Sequence, residues 1–246
     1  MSPPAVPTAE ASRLGIFCKT TDSAMIEAAA LAGLDFVILD REHGPSDWHQ
    51  VQQHIRAARL GGAMPIVRVS ALDHHAIGMA YDLGAEGVQV PNIATPDQAR
   101  RAVEAARFHP IGARGICRFV AAAGYGSVDK AEYFARENRK TLILQVEGAE
   151  GVARIDEILA VEGVDVLFIG PYDLSQSVGT PGEITSPAVL EAISRISSAA
   201  RARNRALGIF CDTPALLAEA RRQAVAYVAY SVDVSIFRDA VLALKA

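Results

Sequence analysis

The chain has 246 residues, half of them hydrophobic, which suits one large α/β domain with a sizeable core. A formal net charge of −4 offers no basic surface to nucleic acid, and no apolar stretch is long enough to cross a membrane or to serve as a signal peptide. Three widely spaced cysteines without a CxxC pair argue against a disulfide framework or a structural zinc site, so we expect a cytoplasmic protein.

Short apolar runs alternate with longer helical patterns along almost the whole chain. The Pro- and Ala-rich residues 1–12 are predicted to form a flexible arm. Helix starts are indicated by Asp47, by Asp73 and by Thr95 followed by proline. The apolar runs lack polar alternation, as expected for parallel strands that are buried on both faces. They are Leu14–Cys18, Asp35–Asp40, Met64–Val69, Gly87–Pro91, Thr141–Glu147, Val164–Gly170, Ala206–Cys211 and Ala224–Tyr230.

Eight strands, each followed by a helix, predict a single-domain (β/α)8 TIM barrel over residues 13–246. A doubly wound open sheet is the alternative, because the same alternation permits it. The count favours the barrel, since it reaches eight with no linker and no leftover domain.

Polar residues gather where several predicted strands end. In a barrel the carboxyl ends of the strands form one rim, and catalytic groups lie there. A charge on an apolar strand is costly unless it is paired or bound to a metal ion. We therefore predict one polar site, to which these strand ends contribute Asp40, Glu42, His43, Arg68, Gln145, Glu147 and Asp173.

Glu147 and Asp173 are the candidate metal ligands, because they follow two adjacent strands. Two carboxylates without cysteine and with few convergent histidines suit a hard cation such as Mg²⁺ or Mn²⁺. Each residue also has a structural alternative: Glu147 as a buried ion-pair partner and Asp173 as a helix cap.

His43 and Arg68 are the candidate catalytic side chains. His43 lies in a Gly-Pro turn directly after a strand, where it can act as a general base or simply bond to the backbone. Arg68 ends an apolar strand and needs an anion, which is either a fixed carboxylate or a substrate oxyanion. Lys19, the one lysine that follows a strand, adjoins a helix-start signal, so a metal ion is favoured over a lysine imine.

Six ordered motifs span nearly the whole chain: Leu39-Asp40-x-Glu42-His43-Gly44-Pro45, Val67-Arg68, Val90-Pro91, Gly112-Ala-Arg114-Gly115, Gln145-Val-Glu147 and Phe168-Ile-Gly-Pro-x-Asp173-Leu-Ser175. Together they resemble the class II pyruvate aldolases of the 4-hydroxy-2-oxoheptanedioate aldolase family, relatives of the citrate lyase β subunits. The resemblance implies that Glu147 and Asp173 hold Mg²⁺ or Mn²⁺, with Co²⁺ as a further candidate. It also implies a pyruvate-like 2-keto acid as the metal chelator.

The resemblance implies roles for the remaining rim residues. Gln145 and the Gly170-Pro171 backbone would orient the substrate, and Arg68 would stabilise an enolate. His43, through a water, would exchange a proton with the aldol hydroxyl. Asp40 would order a water on the cation.

Asp82 matches a family aspartate that supports the histidine. It lies near the end of the third predicted helix, at the rim opposite His43 of its own chain. It could act only from a neighbouring subunit, which implies a homo-oligomer, a hexamer or a trimer. A plain helix-end position is the alternative.

The sequence departs from the family pattern at the predicted pocket. Arg41 adds a positive charge beside the site, and Tyr172, a candidate substrate-binding residue, replaces a small residue within Gly-Pro-x-Asp, where it is expected to narrow the pocket or stack against it. An arginine that many members carry shortly after Arg118 is missing, so a second anionic group on the aldehyde is less securely recognised.

The expected reaction is reversible cleavage of a 4-hydroxy-2-keto acid to pyruvate, or a close 2-keto acid, and an aldehyde. Three alternatives stay open: a lyase acting on malyl- or citramalyl-type CoA thioesters, a 2-keto acid decarboxylase and a non-catalytic metabolite-binding barrel. The natural aldehyde, the stereochemistry and the pathway are undetermined at this stage.

Overall fold

The computed structural model describes residues 12–245. The arm predicted over residues 1–12 lies, except for Ser12, outside the described residues. The eight strands are β1 (Arg13–Cys18), β2 (Phe36–Asp40), β3 (Met64–Arg68), β4 (Gly87–Val90), β5 (Thr141–Val146), β6 (Val166–Ile169), β7 (Ala206–Cys211) and β8 (Tyr227–Val232). All neighbouring pairs are parallel and β8 closes on β1. The predicted (β/α)8 barrel is confirmed, and the open sheet is excluded.

Helices connect the strands on the outside of the barrel. They are α1 (Ser23–Leu31), α2 (Trp48–Leu60), α3 (His74–Asp82), α4 (Pro96–Ala106), α5 (Lys130–Glu137), α6 (Ala149–Ala153), α7 (Ile155–Leu159), α8 (Pro171–Ser177), α9 (Pro187–Ala202), α10 (Pro214–Arg222) and α11 (Asp233–Ala243). The predicted caps are present: Asp47 and Thr95 form capping boxes, and Asp73 accepts a hydrogen bond from Ala76 N–H. None of the helices between residues 12 and 245 is long and apolar enough to span a membrane.

The barrel has two apolar layers. One lies between the strands and the helices and contains the larger set of buried aliphatic side chains. The other fills the barrel itself with side chains from alternate strand positions, including Phe36, Ile38, Ile66, Ile143 and Phe168. The interior is therefore packed, and it forms a floor beneath the carboxyl ends of the strands.

The same two-residue period places polar groups above that floor. Continuing from Ile38 leads to Asp40, from Ile66 to Arg68, and from Ile143 through Gln145 to Glu147. Apolar residues hold the middle of each strand, and charged residues follow at its carboxyl end. One strand pattern thus builds both the core and the site.

Only the last of the predicted strands differs from the structure by three residues at one end; Ala206–Cys211 matches, the strand predicted at Val164–Gly170 differs by two, and the others differ by one. The apolar run at Ala224 does not begin a strand, because Ala224 lies in a left-handed turn with φ of 53° and β8 starts at Tyr227. β6 covers Val166–Ile169, and Gly170 is already the N-cap of α8. Both differences arise where apolar residues continue into a connecting turn.

Candidate active site

A cavity of about 290 Å³ opens at the carboxyl ends of the strands. Most of the sequence-predicted site residues meet there: His43, Arg68, Gln145, Glu147, Gly170, Pro171, Tyr172 and Asp173 border it. Asp40 and Asp82 are not among the residues that border it. The other residues at its wall are Phe17, Lys19, Phe168, Phe210 and Val232. The lining combines these polar groups with an aromatic wall formed by Phe17, Phe168 and Phe210, whose rings pack edge to face.

Arg68 is held by two carboxylates. It is the register partner of Asp40 across β2 and β3, and both side chains are buried. Arg68 Nε donates to Asp40 Oδ1 at 3.0 Å, and Nη2 donates to Oδ2 at 2.8 Å. Its Nη1 lies 2.8 Å from Glu42 Oε2. Fixed carboxylates therefore satisfy Arg68, one of the two possibilities that the sequence left open, while the residue still borders the cavity.

Asp40 is kept ionised by its surroundings. Burial acts to raise its pKa, but the hydrogen bonds and charge of Arg68, together with the N–H groups of Glu42 and His43, lower the pKa overall. Its contacts fix Arg68 and the start of the His43 turn. The role of ordering a water on a cation, implied by resemblance, stays a prediction.

Glu147 is buried, and among residues 12–245 it forms no ion pair with a basic side chain. Its Oε1 accepts a hydrogen bond from Asn92 N–H at 2.9 Å, and its Oε2 accepts one from the Gln145 side chain. Burial raises the pKa of Glu147 to about 7, and the negative charges of Asp173 and Glu42 act in the same direction. The alternative of a simple ion-pair residue does not describe this environment.

Asp173 faces the same cavity from the first turn of α8. The N-cap of α8 is Gly170 and no side chain caps this helix, so Asp173 is not the helix cap that was its alternative reading. Its charge acts on Glu147. The two predicted metal ligands are thus electrostatic neighbours at one cavity wall.

This pair of carboxylates fits a hard divalent cation. A buried carboxyl whose pKa is raised by burial and by a like charge gains stability when a cation compensates it. Mg²⁺ commonly uses only one or two protein carboxylates and completes its sphere with water and substrate oxygens. No cluster of three or more His, Cys, Asp or Glu side chains suited to a metal occurs among residues 12–245. The donor set agrees with a cation that keeps open positions.

Gly170 is required by the close approach of its neighbours. A Cβ at this position would clash with Glu147 Oε2 and would lie 3.0 Å from Glu147 Cβ and 3.1 Å from Gln145 Nε2. The backbone at the N-cap of α8 therefore passes directly against the Glu147 carboxylate. Pro171 follows as the first residue of α8, where its missing N–H costs nothing.

His43 is an exposed residue of the site, as are Tyr172 and Asp173. Its side chain is 57% accessible, and its Nε2 lies 3.9 Å from Glu42 Oε2. The His43 N–H is fixed by Asp40, which anchors the turn that carries the side chain. An accessible imidazole at the cavity wall can take up or release a proton to a ligand or to water.

Asp82 lies elsewhere, as the sequence predicted. It is the last residue of α3, and its Oδ1 accepts a hydrogen bond from Arg114 Nη2 at 2.6 Å. Arg114 also pairs with Glu137 and is buried. Within one chain Asp82 has a structural contact, so a role at an active site requires a second subunit and stays a prediction.

Arg41 is not among the residues that border the cavity. Its guanidinium stacks on the Trp48 ring at 3.8 Å from the ring centroid, and its Nε donates to Ser46 O at 3.1 Å. The side chain therefore covers the start of α2.

Asn92 and Lys19 were missed as site residues. Asn92 has φ of 59°, a conformation in which Asn is enriched, and its Nδ2 donates to Glu42 Oε1 at 3.1 Å. It therefore links Glu42 to Glu147, which borders the cavity. Lys19 borders the cavity, with Nζ 3.8 Å from Asp40 Oδ2. The signal for Asn92 was a polar residue directly after the Val90-Pro91 strand end.

Tyr172 lies at the edge of the aromatic wall. Its hydroxyl donates to Asp212 Oδ2 at 2.5 Å, and its ring centroid is 6.1 Å from that of Phe210. The hydrogen bond to Asp212, with burial, raises the pKa of Tyr172 to about 12, so the phenol stays protonated near neutral pH. The expectation that Tyr172 narrows the pocket agrees with this position.

A packed (β/α)8 barrel with ionisable groups gathered around one small cavity at its carboxyl rim defines an enzyme of the TIM-barrel class. Comparison with known proteins gives the family. The chain belongs to the HpcH/HpaI aldolase/citrate lyase family, which matches residues 13–240. It is accordingly a carbon–carbon lyase.

Individual relatives agree with this assignment. The chain is 33% identical to a 2-keto-3-deoxy-L-rhamnonate aldolase of Salmonella gallinarum over 231 residues, covering 93% of this chain and 86% of the relative. A solved HpcH/HpaI aldolase/citrate lyase family protein from Burkholderia cenocepacia is 34% identical, with a TM-score of 0.90 over 96% of this chain and 94% of that one. An HpcH/HpaI aldolase from Desulfitobacterium hafniense is 27% identical, with a TM-score of 0.89 over 94% and 90%.

Proposed function

We propose that this protein cleaves 4-hydroxy-2-keto acids reversibly to pyruvate, or a close 2-keto acid, and an aldehyde, with a divalent cation. The observation that carries the proposal is the pair Glu147 and Asp173, two carboxylates on one cavity wall beside Arg68 and His43. The 2-keto-3-deoxy-L-rhamnonate aldolases at 33% identity support this reaction class.

Glu147 and Asp173 would hold the cation, with Mg²⁺ or Mn²⁺ the first candidates and Co²⁺ a further one. When bound, the cation supplies a positive charge that polarises the keto oxygen of the substrate. Gln145 and the Gly170-Pro171 backbone border the same part of the cavity, where they can orient the substrate carboxylate and keto groups. The small cavity suits a three-carbon keto acid with a compact acceptor.

The cleavage step moves one proton and one electron pair. The C3–C4 bond of the keto acid breaks, and its electrons remain on C3 as the enolate. The C4 hydroxyl loses its proton to His43, directly or through a water, and C4 becomes the aldehyde carbonyl. Arg68, fixed by Asp40 and Glu42, contributes positive charge beside the developing enolate oxygen. Protonation of C3 then gives the methyl group of pyruvate.

The test is pyruvate release from a panel of 4-hydroxy-2-keto acids, followed with a coupled lactate dehydrogenase assay. We expect release that requires Mg²⁺ or Mn²⁺, that is abolished by chelator and that is lost in Glu147→Ala. The absence of release from every substrate with every metal would contradict the proposal. Release from malyl- or citramalyl-CoA alone would indicate the thioester lyase, and CO₂ release without an aldehyde would indicate a decarboxylase.

We further propose that the protein is a homo-oligomer, a hexamer or a trimer. The support is α11, whose Val234, Ile236, Phe237, Val241 and Leu242 are all exposed. Large apolar patches are costly in water and mark interfaces between chains. The role that resemblance implies for Asp82 also requires a neighbouring subunit. Light scattering on the purified protein tests the assembly, and a monomer at micromolar concentration would contradict it.

A cytoplasmic location is the last part of the proposal. Its support is that Cys18, Cys117 and Cys211 are all unpaired, which is typical of a reducing compartment. Fractionation of the source cells, with the protein found in the soluble cytoplasmic fraction, is the expected result.

A further inference from the structure

A second cavity lies directly beside the active-site cavity. This groove has a volume of about 470 Å³ and is bordered by the loop of residues 182–186, by Thr213 and by Ala215. Tyr172 is the one residue of the described chain that borders both the groove and the active-site cavity. Its side chain therefore stands at the boundary between the two spaces.

The end of β7 fixes Tyr172 in this position. Phe210 borders the active-site cavity, Thr213 borders the groove, and Asp212 lies between them in the chain. Asp212 Oδ2 accepts the hydrogen bond from the Tyr172 hydroxyl at 2.5 Å, and the Tyr172 ring packs beside Phe210. A tyrosine tied at its hydroxyl and packed at its ring is a rigid partition.

This arrangement is not explained by stability alone. Asp212 Oδ1 is buried and has no hydrogen-bond partner among residues 12–245. An unsatisfied buried carboxylate oxygen lowers stability, and such groups in native structures often mark functional sites. The other carboxylate oxygen of Asp212 is the one that accepts the hydrogen bond from Tyr172.

The chemistry of the groove indicates which ligands it accepts. Thr185, Ser186 and Thr213 supply hydroxyl groups, and Glu183 is the charged residue at its border. Among the described residues that border the groove, none is Lys, Arg or His. An uncharged chain that carries hydroxyl groups fits this lining, whereas a second carboxylate would meet only negative charge.

We infer that the Tyr172–Asp212 pair sets the length of the aldehyde that the enzyme accepts. The pair separates the active-site cavity from the groove and thereby restricts the enzyme to short aldehydes. Removing the pair extends the site into the groove, so that longer, uncharged, hydroxylated aldehydes fit. This inference rests on the proposed aldolase function. At about 290 Å³, the cavity lies at the lower end of the roughly 300–1,000 Å³ of ligand pockets, which leaves little room beside a keto acid.

The test compares two acceptors within each variant, so that any general loss of catalysis cancels. Pyruvate is condensed with glycolaldehyde, a two-carbon acceptor, and with erythrose, a four-carbon hydroxylated acceptor, and the ratio of kcat/KM values is formed. In Tyr172→Ala we expect the erythrose-to-glycolaldehyde ratio to rise about tenfold or more, as is typical of steric discrimination in a pocket. Asp212→Ala should move the ratio in the same direction by a smaller factor. Tyr172→Phe keeps the ring but loses the same hydrogen bond as Asp212→Ala, so it should match Asp212→Ala and fall well short of Tyr172→Ala.

Succinic semialdehyde, an anionic four-carbon acceptor, separates length from charge. We expect no comparable gain for it in Tyr172→Ala. An unchanged erythrose ratio in both Tyr172→Ala and Asp212→Ala would overturn the inference, as would an equal gain for the anionic acceptor. Exchange of pyruvate methyl protons in the wild type, which needs no acceptor, is measured first. Its absence would count against the aldolase function itself, whereas exchange with unchanged ratios would count only against the role of the pair.

Discussion

Asp40 and Arg68 are register partners on β2 and β3, and two hydrogen bonds of 3.0 and 2.8 Å join their side chains. Both residues are buried, at 2% and 7% accessibility. Adjacent parallel strands thus present one aligned ion pair at the carboxyl rim, and its guanidinium borders the cavity. The position of Arg68 relative to the other site residues depends on this pair.

Replacing Asp40 by asparagine should destabilise the fold, because it leaves Arg68 with Glu42 as its remaining carboxylate. Removing one partner of a buried pair costs on the order of 3 kcal/mol. Urea unfolding at pH 7 measures the difference. Asp156→Asn, which breaks the exposed pair with Arg195, is the control and should cost no more than about 0.5 kcal/mol. Equal effects of the two substitutions would contradict this description of the pair.

The same pair gives a pH dependence of defined sign. The pKa of Asp40 is lowered from its ordinary value of 3.8, so the stability that ionised Asp40 contributes is present above that value and is lost as the pH falls through the lower folded pKa. The gap in unfolding free energy between the wild type and Asp40→Asn should be constant from pH 7 to pH 5 and should narrow below about pH 4. A gap that widens in acid would contradict the ion pair.

Gly170→Ala should weaken cation binding, because the added Cβ clashes with Glu147 Oε2 and must displace the carboxylate. We expect a loss of about tenfold or more in Mn²⁺ affinity, measured by calorimetric titration. Gly148→Ala, in the connection after β5, is the matched control. A Cβ added at Gly148 would lie 3.8 Å from its nearest neighbour, Ser177 Oγ. Equal Mn²⁺ affinities in the two variants would show that the close approach of Gly170 to Glu147 does not affect cation binding.

Cation binding should weaken below neutral pH. The pKa of Glu147 is raised to about 7 by burial, so a proton competes with the cation below that pH and not above it. Mn²⁺ affinity should therefore fall roughly tenfold per unit below pH 7 and level off above it. Titrations at pH 6, 7 and 8 test this, with Glu147→Gln expected to bind weakly at all three. A Mn²⁺ affinity that is independent of pH would contradict the proposal that Glu147 is a ligand of the cation.

His43→Ala should lower kcat for cleavage by about 10²–10⁴-fold, the usual contribution of a general base. Stability should change little, since the side chain is 57% accessible. His49→Ala removes another exposed histidine, on α2, and should leave kcat unchanged. Activity of His43→Ala within threefold of the wild type would assign the base to another group.

The fold could be predicted from the strand pattern because parallel strands buried on both faces leave a clear apolar signature. The signature fails at turns: Ala224 continues an apolar run, yet its backbone is left-handed and β8 begins three residues later. Composition does not mark such a turn when its residues are apolar.

The location of the site could be predicted, because the topology of a barrel brings the carboxyl ends of its strands together independently of their side-chain contacts. Its contacts could not be predicted, because they depend on register and side-chain direction. The sequence left the partner of Arg68 open, and the β2–β3 register decides it. Arg41 directly follows Asp40 in the chain, but its side chain stacks on Trp48. Asn92 donates to Glu42 from a left-handed backbone conformation.

The most direct test of the central claim is exchange of pyruvate methyl protons in D₂O, followed by NMR with Mg²⁺, Mn²⁺ or chelator. It requires enolate formation at the site formed by Glu147 and Asp173 and no knowledge of the aldehyde. We predict exchange that depends on the metal, that stops with chelator and that is absent in Glu147→Ala. No exchange in the wild type with any metal, or exchange that persists in Glu147→Ala, would contradict a pyruvate-enolate site at these carboxylates.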